Sequence, residues 1–339
     1  MGATTYPPLA ELLADHGLTG AAEESFQADG WSGARLSRLV RADGARFVIK
    51  RDSLALDWIA RTTGDDPDLR EALLAAAAPR LPPPARLPHL GVARDGDLVA
   101  LLMPDLAASL LHWEAPIALE QLDRVLGGLA ALHADPWHRQ LPTAFPWTDL
   151  RRRVLLLTRR AAAAYEADGN WVGERFRNGW DAFDRHAPAA ATDLIASLTA
   201  DPAPLFASLA EQPVAGLHGD LKLGNVALAE DGGVDLIDWQ MTLVAPVAVE
   251  LGWFLVCNVA GLTIPPDDVL ERYRLLAGLA PDDRWARERD LALVIGLLLR
   301  GWRKGLDADA GLTTACGWPA TEDLAWWADA ATEAARRAL

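Results

Sequence analysis

Residues 218–225 of this 339-residue chain read HGDLKLGN, and this short segment is the strongest indication of its fold. Within it, a carboxylate at Asp220 and an amide at Asn225 are separated by five positions. Short apolar stretches on both sides predict two strands with this segment as the loop between them. A third apolar stretch follows and ends at Asp238, thirteen residues after Asn225. The pattern therefore predicts a small hairpin that carries three polar residues.

These polar residues match what phosphoryl transfer from ATP requires. The reaction needs a carboxylate that orients and deprotonates the attacking hydroxyl. It also needs an amide oxygen and a second carboxylate that hold Mg²⁺ against the phosphates. The loop then supplies the base, and the hairpin after it supplies a metal ligand. The alternative is a solvated turn in which an Asp and an Asn cap local backbone groups.

The first hundred residues predict a small antiparallel sheet. Residues 34–51 and 91–103 each read as a hairpin, because two strand-like stretches flank an Asp-Gly turn. Between the hairpins, residues 65–78 predict a helix with an acidic first turn and a proline at Pro67. Two hairpins and one helix make an N-terminal domain at residues 1–103.

From residue 104 onward, Ala-rich and Leu-rich patterns predict a second, mainly helical domain that runs to residue 339. Its predicted helices are residues 119–133, 148–167, 173–185, 267–280, 284–305 and 321–339. The longest apolar stretches, 241–264 and 291–299, read as buried helices, because the first is interrupted by polar residues and the second is too short to span a bilayer. The fold class is α+β, with a small sheet lobe and a larger helical lobe.

Composition excludes several classes of function. The net charge of −15 and the pI of about 4.9 argue against nucleic acid as a partner and favour neutral or cationic molecules. Two cysteines, Cys257 and Cys316, indicate neither a disulfide framework nor a thiolate metal site. No signal peptide pattern is found at the N-terminus. We expect a cytoplasmic protein without a membrane partner, and we make no prediction of its oligomeric state.

The HGDLKLGN segment resembles the catalytic loop of the aminoglycoside phosphotransferase and choline kinase group, which shares its two-lobed fold with protein kinases. His-Gly-Asp stands where protein kinases have His-Arg-Asp, and residues 237–239 stand where they have Asp-Phe-Gly. The resemblance implies that Asp220 is the catalytic base. It also implies that Asn225 and Asp238 bind Mg²⁺.

Three further residues of this region take their expected roles from the same resemblance. His218 is expected to support the loop. Lys222 matches a lysine of protein kinases that contacts the transferred phosphate, and a solvent-exposed lysine is the alternative. The group usually has an Asp-Leu pair downstream of the metal-binding Asp, whereas this chain has Glu250 before a Leu. We expect Glu250 to brace the catalytic loop in place of that Asp.

The resemblance also implies a lysine that reaches the ATP phosphates from a strand of the small lobe, held by a glutamate of the neighbouring helix. Lys50 ends a strand-like stretch, and Glu71 follows about twenty residues later inside the predicted helix. We expect these two side chains to form an ion pair. Asp66 and Asp68 lie on the same predicted helix, so an acidic first turn remains the alternative for Glu71.

Two backbone segments complete the expected nucleotide site. The turn before the lysine strand contains Gly30, Ser32 and Gly33, whose amides are expected to approach the phosphates. Any hairpin turn has a similar sequence. Leu102 and Met103 end the last predicted strand of the small lobe, where the backbone is expected to bind the adenine edge. A plain strand that ends at a proline turn is the alternative.

The acceptor is left open by the sequence. The chain has fourteen Trp and three Tyr, and four Trp lie where the group inserts substrate-binding helices: Trp137, Trp147, Trp171 and Trp180. Their faces are suited to a quaternary ammonium through cation–π contacts, and packing in the core is the alternative. Acidic residues, among them Glu174, Asp181 and Glu250, are equally suited to the amines of an aminoglycoside.

The sequence therefore predicts a kinase that transfers the γ-phosphoryl group of Mg·ATP to a hydroxyl of an amino sugar, an amino alcohol or a sugar, cationic acceptors included. A catalytically silent, nucleotide-binding pseudokinase is the main alternative. The intact set of Lys50, Asp220, Asn225 and Asp238 argues against it. Phosphorylation of protein hydroxyls is disfavoured because no Ala-Pro-Glu motif is recognisable.

Overall fold

The computed structural model describes residues 6–26 and 30–339 of the chain. These residues form ten strands and thirteen helices. The strands are β1 (Ala22–Phe26), β2 (Arg35–Val40), β3 (Arg46–Asp52), β4 (Ala85–Arg86), β5 (Gly91–Asp95), β6 (Leu98–Pro104), β7 (Val214–Leu217), β8 (Val226–Leu228), β9 (Val234–Leu236) and β10 (Leu243–Pro246). The helices are α1 (Leu9–Asp15), α2 (Trp58–Thr63), α3 (Arg70–Ala77), α4 (Leu119–Ala134), α5 (Leu150–Leu155), α6 (Arg159–Ala167), α7 (Trp171–His186), α8 (Ala189–Ala200), α9 (Ala203–Ala210), α10 (Ala248–Cys257), α11 (Pro266–Leu276), α12 (Asp283–Asp309) and α13 (Ala320–Ala338).

An antiparallel five-stranded sheet, ordered β1-β2-β3-β6-β5, forms the first part of the molecule. Alternate residues of a strand face opposite sides of the sheet. Ile49 and Leu102 pack toward α1, whereas Leu101 packs toward α3. The period of two therefore turns Lys50, the neighbour of Ile49, toward α3. Both predicted hairpins are confirmed, as β2-β3 and β5-β6.

The helix predicted at residues 65–78 begins later than expected. Its regular part, α3, starts at Arg70, and the residues before it form a turn. Leu69 has a φ of 59°, outside the helical region, and Asp65 Oδ1 accepts a hydrogen bond from the Arg70 amide at 2.7 Å. A separate helix that was not predicted, α2, precedes this turn. Asp66 and Asp68 therefore lie in the turn, outside α3.

Helices make up most of the remaining chain. The stretch predicted as one helix at residues 148–167 is two helices, α5 and α6, because Thr158 interrupts it and caps the second by accepting a hydrogen bond from Ala161 N at 3.4 Å. Helices α8 and α9 were not predicted. The longest helix, α12, packs against α7, α10 and α13 and is kinked at Arg300, where φ is −135° and ψ is 17°.

Two small sheets flank the loop at residues 218–225. Strand β8 pairs with β9, which confirms the predicted hairpin, and β7 pairs with β10, a strand that was not predicted. The loop at residues 218–225 joins β7 to β8. Gly219 within it has a φ of 85°, and a Cβ atom there would overlap the Met241 carbonyl oxygen. Only glycine fits this position without displacing the backbone.

The α+β class with a sheet part and a larger helical part is confirmed. Strand β6 ends at Pro104, although a division of the chain into domains 1–103 and 104–339 stays a prediction. Across residues 6–26 and 30–339, no helix is both long enough and apolar enough to cross a membrane.

Candidate active site

A buried histidine shapes the loop that contains Asp220. The Nδ1 atom of His218 accepts a hydrogen bond from the Asp220 amide at 3.2 Å, which leaves Nε2 as the donor. Nε2 donates to the Ile237 carbonyl at 2.9 Å. The ring also lies against Trp239, with 4.5 Å between the centroids. His218 therefore fixes the distance between the loop and the segment that follows β9.

Glu250 braces the same loop from α10. Its carboxylate accepts hydrogen bonds from the His218 amide at 3.1 Å and from the Gly219 amide at 2.6 Å. His133 Nε2 lies 3.0 Å from the carboxylate, and His133 Nδ1 lies 2.8 Å from the Tyr273 hydroxyl. Burial by itself raises the pKa of Glu250, but the hydrogen bond and charge of His133 outweigh it and hold that pKa below its ordinary value.

Lys50 connects the sheet to the hairpin. Its Nζ lies 2.6 Å from Glu71 Oε2 and 2.8 Å from Asp238 Oδ1. The second oxygen of Glu71 accepts hydrogen bonds from the amides of Asp238 and Trp239 at 3.1 and 3.3 Å. One glutamate thus holds both the lysine and the backbone that presents Asp238. The ion pair expected between Lys50 and Glu71 is formed.

The three charges of this group stabilise one another's ionised forms. Burial lowers the pKa of Lys50, but the carboxylates of Asp238 and Glu71 outweigh it and hold that pKa well above its usual value. Burial likewise raises the pKa of Glu71 and of Asp238, and the charge of Lys50 reverses both shifts. All three groups are therefore charged at neutral pH.

Asn225 and Lys222 both contact Asp220. Asn225 Nδ2 donates to the Asp220 carbonyl at 2.9 Å, while its Oδ1 accepts no hydrogen bond from the residues that the structure describes. Lys222 Nζ lies 3.4 Å from Asp220 Oδ2, and its side chain is 35% exposed. Burial lowers the pKa of Lys222, but the carboxylates of Asp220 and Asp238 outweigh it and raise that pKa. The loop therefore combines a carboxylate, an ammonium group and an amide oxygen.

The remaining expected nucleotide contacts come from the sheet part of the molecule. Gly30, Ser32 and Gly33 lie in the turn between β1 and β2, where Ser32 Oγ accepts a hydrogen bond from Ala34 N at 3.4 Å. Gly33 has a φ of 98°. The part of this turn at residues 27–29, including Asp29, lies outside the described residues. The roles of the three residues stay predictions.

The backbone of Leu102 is already used within the sheet. Its carbonyl accepts a hydrogen bond from Leu90 N at 2.8 Å, and the residue lies opposite Ile49 on one side and Gly91 on the other. Met103 lies opposite Val48 only. Met103 is therefore freer than Leu102 to contact a ligand through its backbone.

A cross-lobe contact of α3 was not predicted from the sequence. Arg70, next to Glu71, is fully buried and donates from Nε to the Pro146 carbonyl and from Nη1 to the Gln240 carbonyl. The guanidinium ties the helix that carries Glu71 to two loops of the helical part. Its adjacency to Glu71 is the only sequence signal of this role.

The tryptophans proposed for acceptor binding differ in exposure. Trp137 and Trp180 are buried, and their indole N–H groups donate to the carbonyls of Gly216 and Leu157, as expected for core residues. Trp171 is 58% exposed.

The acidic residues proposed for the same role are divided in a similar way. Glu174 and Asp181 lie on the exposed face of α7, and Asp181 forms an ion pair with Arg177 at 3.7 Å. Glu250 is committed to the catalytic loop, so it is not available to an acceptor amine. No acceptor class follows from these residues.

A second set of residues near Asp220 was missed in the sequence. Arg153, Trp253 and Arg300 come from α5, α10 and the kink of α12. Arg153 Nε donates to the Gly219 carbonyl at 2.7 Å, and both guanidinium groups lie against Trp253. An arginine immediately after the apolar run of residues 291–299 was the only available signal.

The chain is similar to known phosphotransferases and kinases. Residues 28–291 match the model of the phosphotransferase enzyme family. A choline/ethanolamine kinase family protein from Mesorhizobium loti superposes with a TM-score of 0.50 at 15% identity, covering 97% of this chain and 92% of that one. Choline kinase from Cryptosporidium parvum Iowa II gives 0.50 at 10% identity, covering 94% and 88%. An aminoglycoside phosphotransferase from Alicyclobacillus acidocaldarius gives 0.48 at 14% identity, covering 99% and 96%. No match was found among curated protein sequences.

The two kinase superpositions confirm the predicted protein-kinase-like fold. The family model covers most of the chain, including four of the five strands of the sheet, the loop at residues 218–225 and the hairpin with Asp238. The chain therefore belongs to the phosphotransferase enzyme family, and it is a small-molecule phosphotransferase.

Proposed function

We propose that the protein transfers the γ-phosphoryl group of Mg·ATP to a hydroxyl group of a small polar molecule. The observation that carries the proposal is the position of Lys50, whose Nζ contacts both Glu71 and Asp238. A lysine held between a helix carboxylate and a metal-binding carboxylate is the arrangement with which kinases hold ATP phosphates. The buried contacts of this group cost desolvation, which a purely structural role would not require.

The residues present fit Mg²⁺. This ion prefers a few hard oxygen ligands and keeps several waters. Asp238 and Asn225 would hold it through a carboxylate and an amide oxygen. The bound ion would neutralise charge on the transferred phosphoryl group.

The residues expected to bind the nucleotide each have a role in this proposal. Lys50 pairs with the phosphates, and Glu71 holds its side chain in place. The amides of Gly30, Ser32 and Gly33 approach the phosphates from the turn between β1 and β2.

The adenine edge and the location of the protein belong to the same proposal. The Met103 backbone contacts the adenine edge, and Leu102 lines the site from the sheet. We also retain a cytoplasmic location, in keeping with two unpaired cysteines, Cys257 and Cys316.

Asp220 is the proposed base. The acceptor hydroxyl loses its proton to the carboxylate as its oxygen forms a bond to the γ-phosphorus. The bond between that phosphorus and the oxygen bridging to the β-phosphate breaks, and ADP leaves with the electron pair. Lys222, 3.4 Å from Asp220, is positioned to stabilise charge on the transferred group.

The pseudokinase alternative is disfavoured by the same contacts. Loss of one catalytic group is expected in a silent site, whereas Lys50, Asp220, Asn225 and Asp238 are all present. Lys50 with Asp238, and Asn225 with Asp220, are moreover in direct contact. These contacts are maintained at a desolvation cost that nucleotide binding alone does not explain.

A coupled ADP-release assay with Mg·ATP tests the proposal over a panel of alcohols, sugars and amino alcohols. Asp220→Asn is expected to lower turnover by about 10² to 10⁴ and to leave ATP binding intact in a thermal-shift assay. Asp235→Asn is the matched control, because Asp235 lies on the same hairpin but pairs with Arg86 at 3.3 Å. Full activity of Asp220→Asn would refute the assignment of the base.

A further inference from the structure

Two arginines and one tryptophan form a cluster of buried hydrogen-bond donors beside the catalytic loop. We call Arg153, Trp253 and Arg300 the arginine cluster. The Arg153 guanidinium lies 4.6 Å from the Trp253 ring centroid, and the Arg300 guanidinium lies 5.5 Å from it. One indole therefore brings together two cations that come from helices far apart in the sequence.

The donors of this cluster exceed the acceptors around it. Arg153 is fully buried, and only its Nε is used, in the bond to the Gly219 carbonyl. Its Nη1 and Nη2, together with Trp253 Nε1 and Arg300 Nε, have no acceptor among the described residues. Neither guanidinium forms an ion pair with a carboxylate of residues 6–26 or 30–339. Four buried donors are thus left for an acceptor from outside the chain.

Such an excess is costly in a folded protein. Buried polar groups are nearly always hydrogen-bonded, and an unpaired buried charge costs more than an unpaired neutral group. Burial lowers the pKa of Arg153 and of Arg300, and carboxylates that include Asp220 only partly offset this. Both groups nevertheless remain charged, because guanidinium groups do not lose their proton in proteins. The cluster therefore keeps two cations without a carboxylate partner among the described residues.

The cluster adjoins the proposed base. Arg153 binds the carbonyl of Gly219, the residue immediately before Asp220. Leu221 is the residue immediately after Asp220, and its carbonyl accepts a contact from the Cys257 thiol at 3.7 Å. Cys257 lies one turn after Trp253 on α10. Arg300 lies at the kink of α12 and is half-buried, so the cluster reaches solvent through this residue.

We propose that the arginine cluster binds an anionic group, a carboxylate or a phosphate ester, of the molecule whose hydroxyl is phosphorylated. This inference rests on the proposed function. A guanidinium presents a planar set of donors that matches the two oxygens of such a group. The cluster offers no acceptor for an ammonium group, and two neighbouring cations repel one. The acceptor is therefore a hydroxy acid or a sugar phosphate, and not the cationic amine that remained open from the sequence.

The anionic group takes no part in the bond changes. The acceptor hydroxyl gives its proton to Asp220, and its oxygen forms the bond to the γ-phosphorus while the bridge to ADP breaks. Binding the anion at the arginine cluster orients the hydroxyl toward the base. This orientation contributes to the rate because it converts an encounter into a fixed geometry.

The first test compares acceptors that differ by one group: glycerol with glycerate and glycerol phosphate, and glucose with gluconate and glucose 6-phosphate. We expect kcat/KM to be at least about tenfold higher for one anionic member than for its neutral parent. The carboxylate and phosphate members distinguish the two kinds of anion. A higher kcat/KM for the neutral parents, or for ethanolamine over serine, would overturn the inference.

The second test removes one cation. Arg300→Gln is expected to raise KM for the anionic acceptor about tenfold or more while KM for ATP stays unchanged. Arg303→Gln is the matched control, since Arg303 is on the same helix but already pairs with Asp307 at 2.7 Å. An equal loss with anionic and neutral acceptors would assign Arg300 to folding alone and reject the inference.

A binding measurement separates this inference from the proposed function. The protein is saturated with Mg·ADP, so that the phosphate site is filled, and thermal stability is measured with glycerate, gluconate and inorganic phosphate. We expect at least one anion to raise Tm in the wild type and not in Arg300→Gln. ADP release with neutral or amine acceptors only would support the proposed kinase function and reject the anionic acceptor. The absence of a Tm shift with every anion would reject the anionic acceptor in the same way. Absence of nucleotide binding would reject the kinase itself.

Discussion

The two halves of the site differ in how their charges are satisfied. In the nucleotide half, Lys50, Glu71 and Asp238 neutralise one another at 2.6 and 2.8 Å. In the acceptor half, Arg153 and Arg300 share a tryptophan and have donors without acceptors. Protein contacts complete the first half, whereas a ligand must complete the second. The proposed phosphate-binding contacts are therefore formed before a ligand binds, whereas acceptor specificity depends on the ligand group that accepts hydrogen bonds from the free donors.

The largest expected effect comes from breaking the paired half. Lys50→Met leaves two buried carboxylates together, so we expect a loss of about 3–5 kcal/mol in the free energy of unfolding. We also expect kcat/KM for ATP to fall about a hundredfold to a thousandfold. Urea unfolding and steady-state kinetics measure the two quantities.

Lys304→Met provides the control, because Lys304 is equally buried and pairs with Asp323 at 2.6 Å on helices remote from the hairpin. We expect a similar loss of stability with an unchanged KM for ATP. If Lys304→Met impaired nucleotide use as much as Lys50→Met, the effect would be one of general stability.

A smaller effect is expected from the brace behind both halves. Glu250→Gln keeps the side-chain shape but removes the charge that receives the amides of His218 and Gly219. We expect kcat to fall about tenfold to a hundredfold, since supporting residues of active sites have effects of this size, with KM for ATP nearly unchanged.

The pH dependence of Glu250 has a defined sign. Its pKa is lowered on folding, so its contribution to stability is present above its ordinary value of 4.5 and is lost as the pH falls below that value. Urea unfolding between about pH 5 and about pH 3 should show a smaller decline for Glu250→Gln than for the wild type. Equal slopes would contradict this assignment.

Asp57 is an exception in the nucleotide half, because one of its carboxylate oxygens has no hydrogen-bond partner among the described residues. It is fully buried, and this oxygen is Oδ2. Burial, with a smaller contribution from Asp52, raises the pKa of Asp57 to about 8. Because the folded state then binds the proton more tightly, the contribution of Asp57 to stability is fully present below its ordinary pKa of 3.8 and is lost as the pH rises toward 8.

Asp57→Asn tests this slope. The amide oxygen keeps the cap that Asp57 provides to the amides of Ile59 and Ala60. In the wild type we expect the ionisation of Asp57 to lower the free energy of unfolding by up to about 1.4 kcal/mol per pH unit between pH 4 and 8. The variant should not show this decline. Unfolding midpoints across this range measure it, and an unchanged slope would show that Asp57 is ionised throughout.

The smallest expected effect has the opposite sign to the first. Arg300→Met removes a cation that has no carboxylate partner, so we expect the free energy of unfolding to rise by about 1 kcal/mol. The same change to methionine at Lys50 destabilises. A destabilised Arg300→Met would mean that Arg300 is satisfied within the protein, and the contrast between the halves would fail.

The sequence predicted the ion pair of Lys50 and Glu71 but not the arginine cluster, and the reason is physical. Asp220, Asn225 and Asp238 lie within one loop and hairpin, so their spacing reflects their geometry. Lys50 and Glu71 meet because the period of the strand turns the Lys50 side chain toward α3. Local periodicity is sufficient for both.

The arginine cluster has no such local pattern. Arg153, Trp253 and Arg300 come from three helices separated by tens of residues, and they meet only through helix packing. The late start of α3 was equally hidden, because it depends on a positive φ at Leu69, a residue that rarely adopts one. Tertiary contacts decide both features, and no short window of sequence contains them.

The tie made by Arg70 has a consequence for control of the reaction. In protein kinases, activation acts on the helix that carries the paired glutamate. Here Arg70 binds the Pro146 and Gln240 carbonyls, so an outward swing of α3 would break both hydrogen bonds of a buried cation. We therefore expect no resting form and no activating modification of this helix. Flux through the enzyme would follow the supply of its acceptor and the amount of protein made.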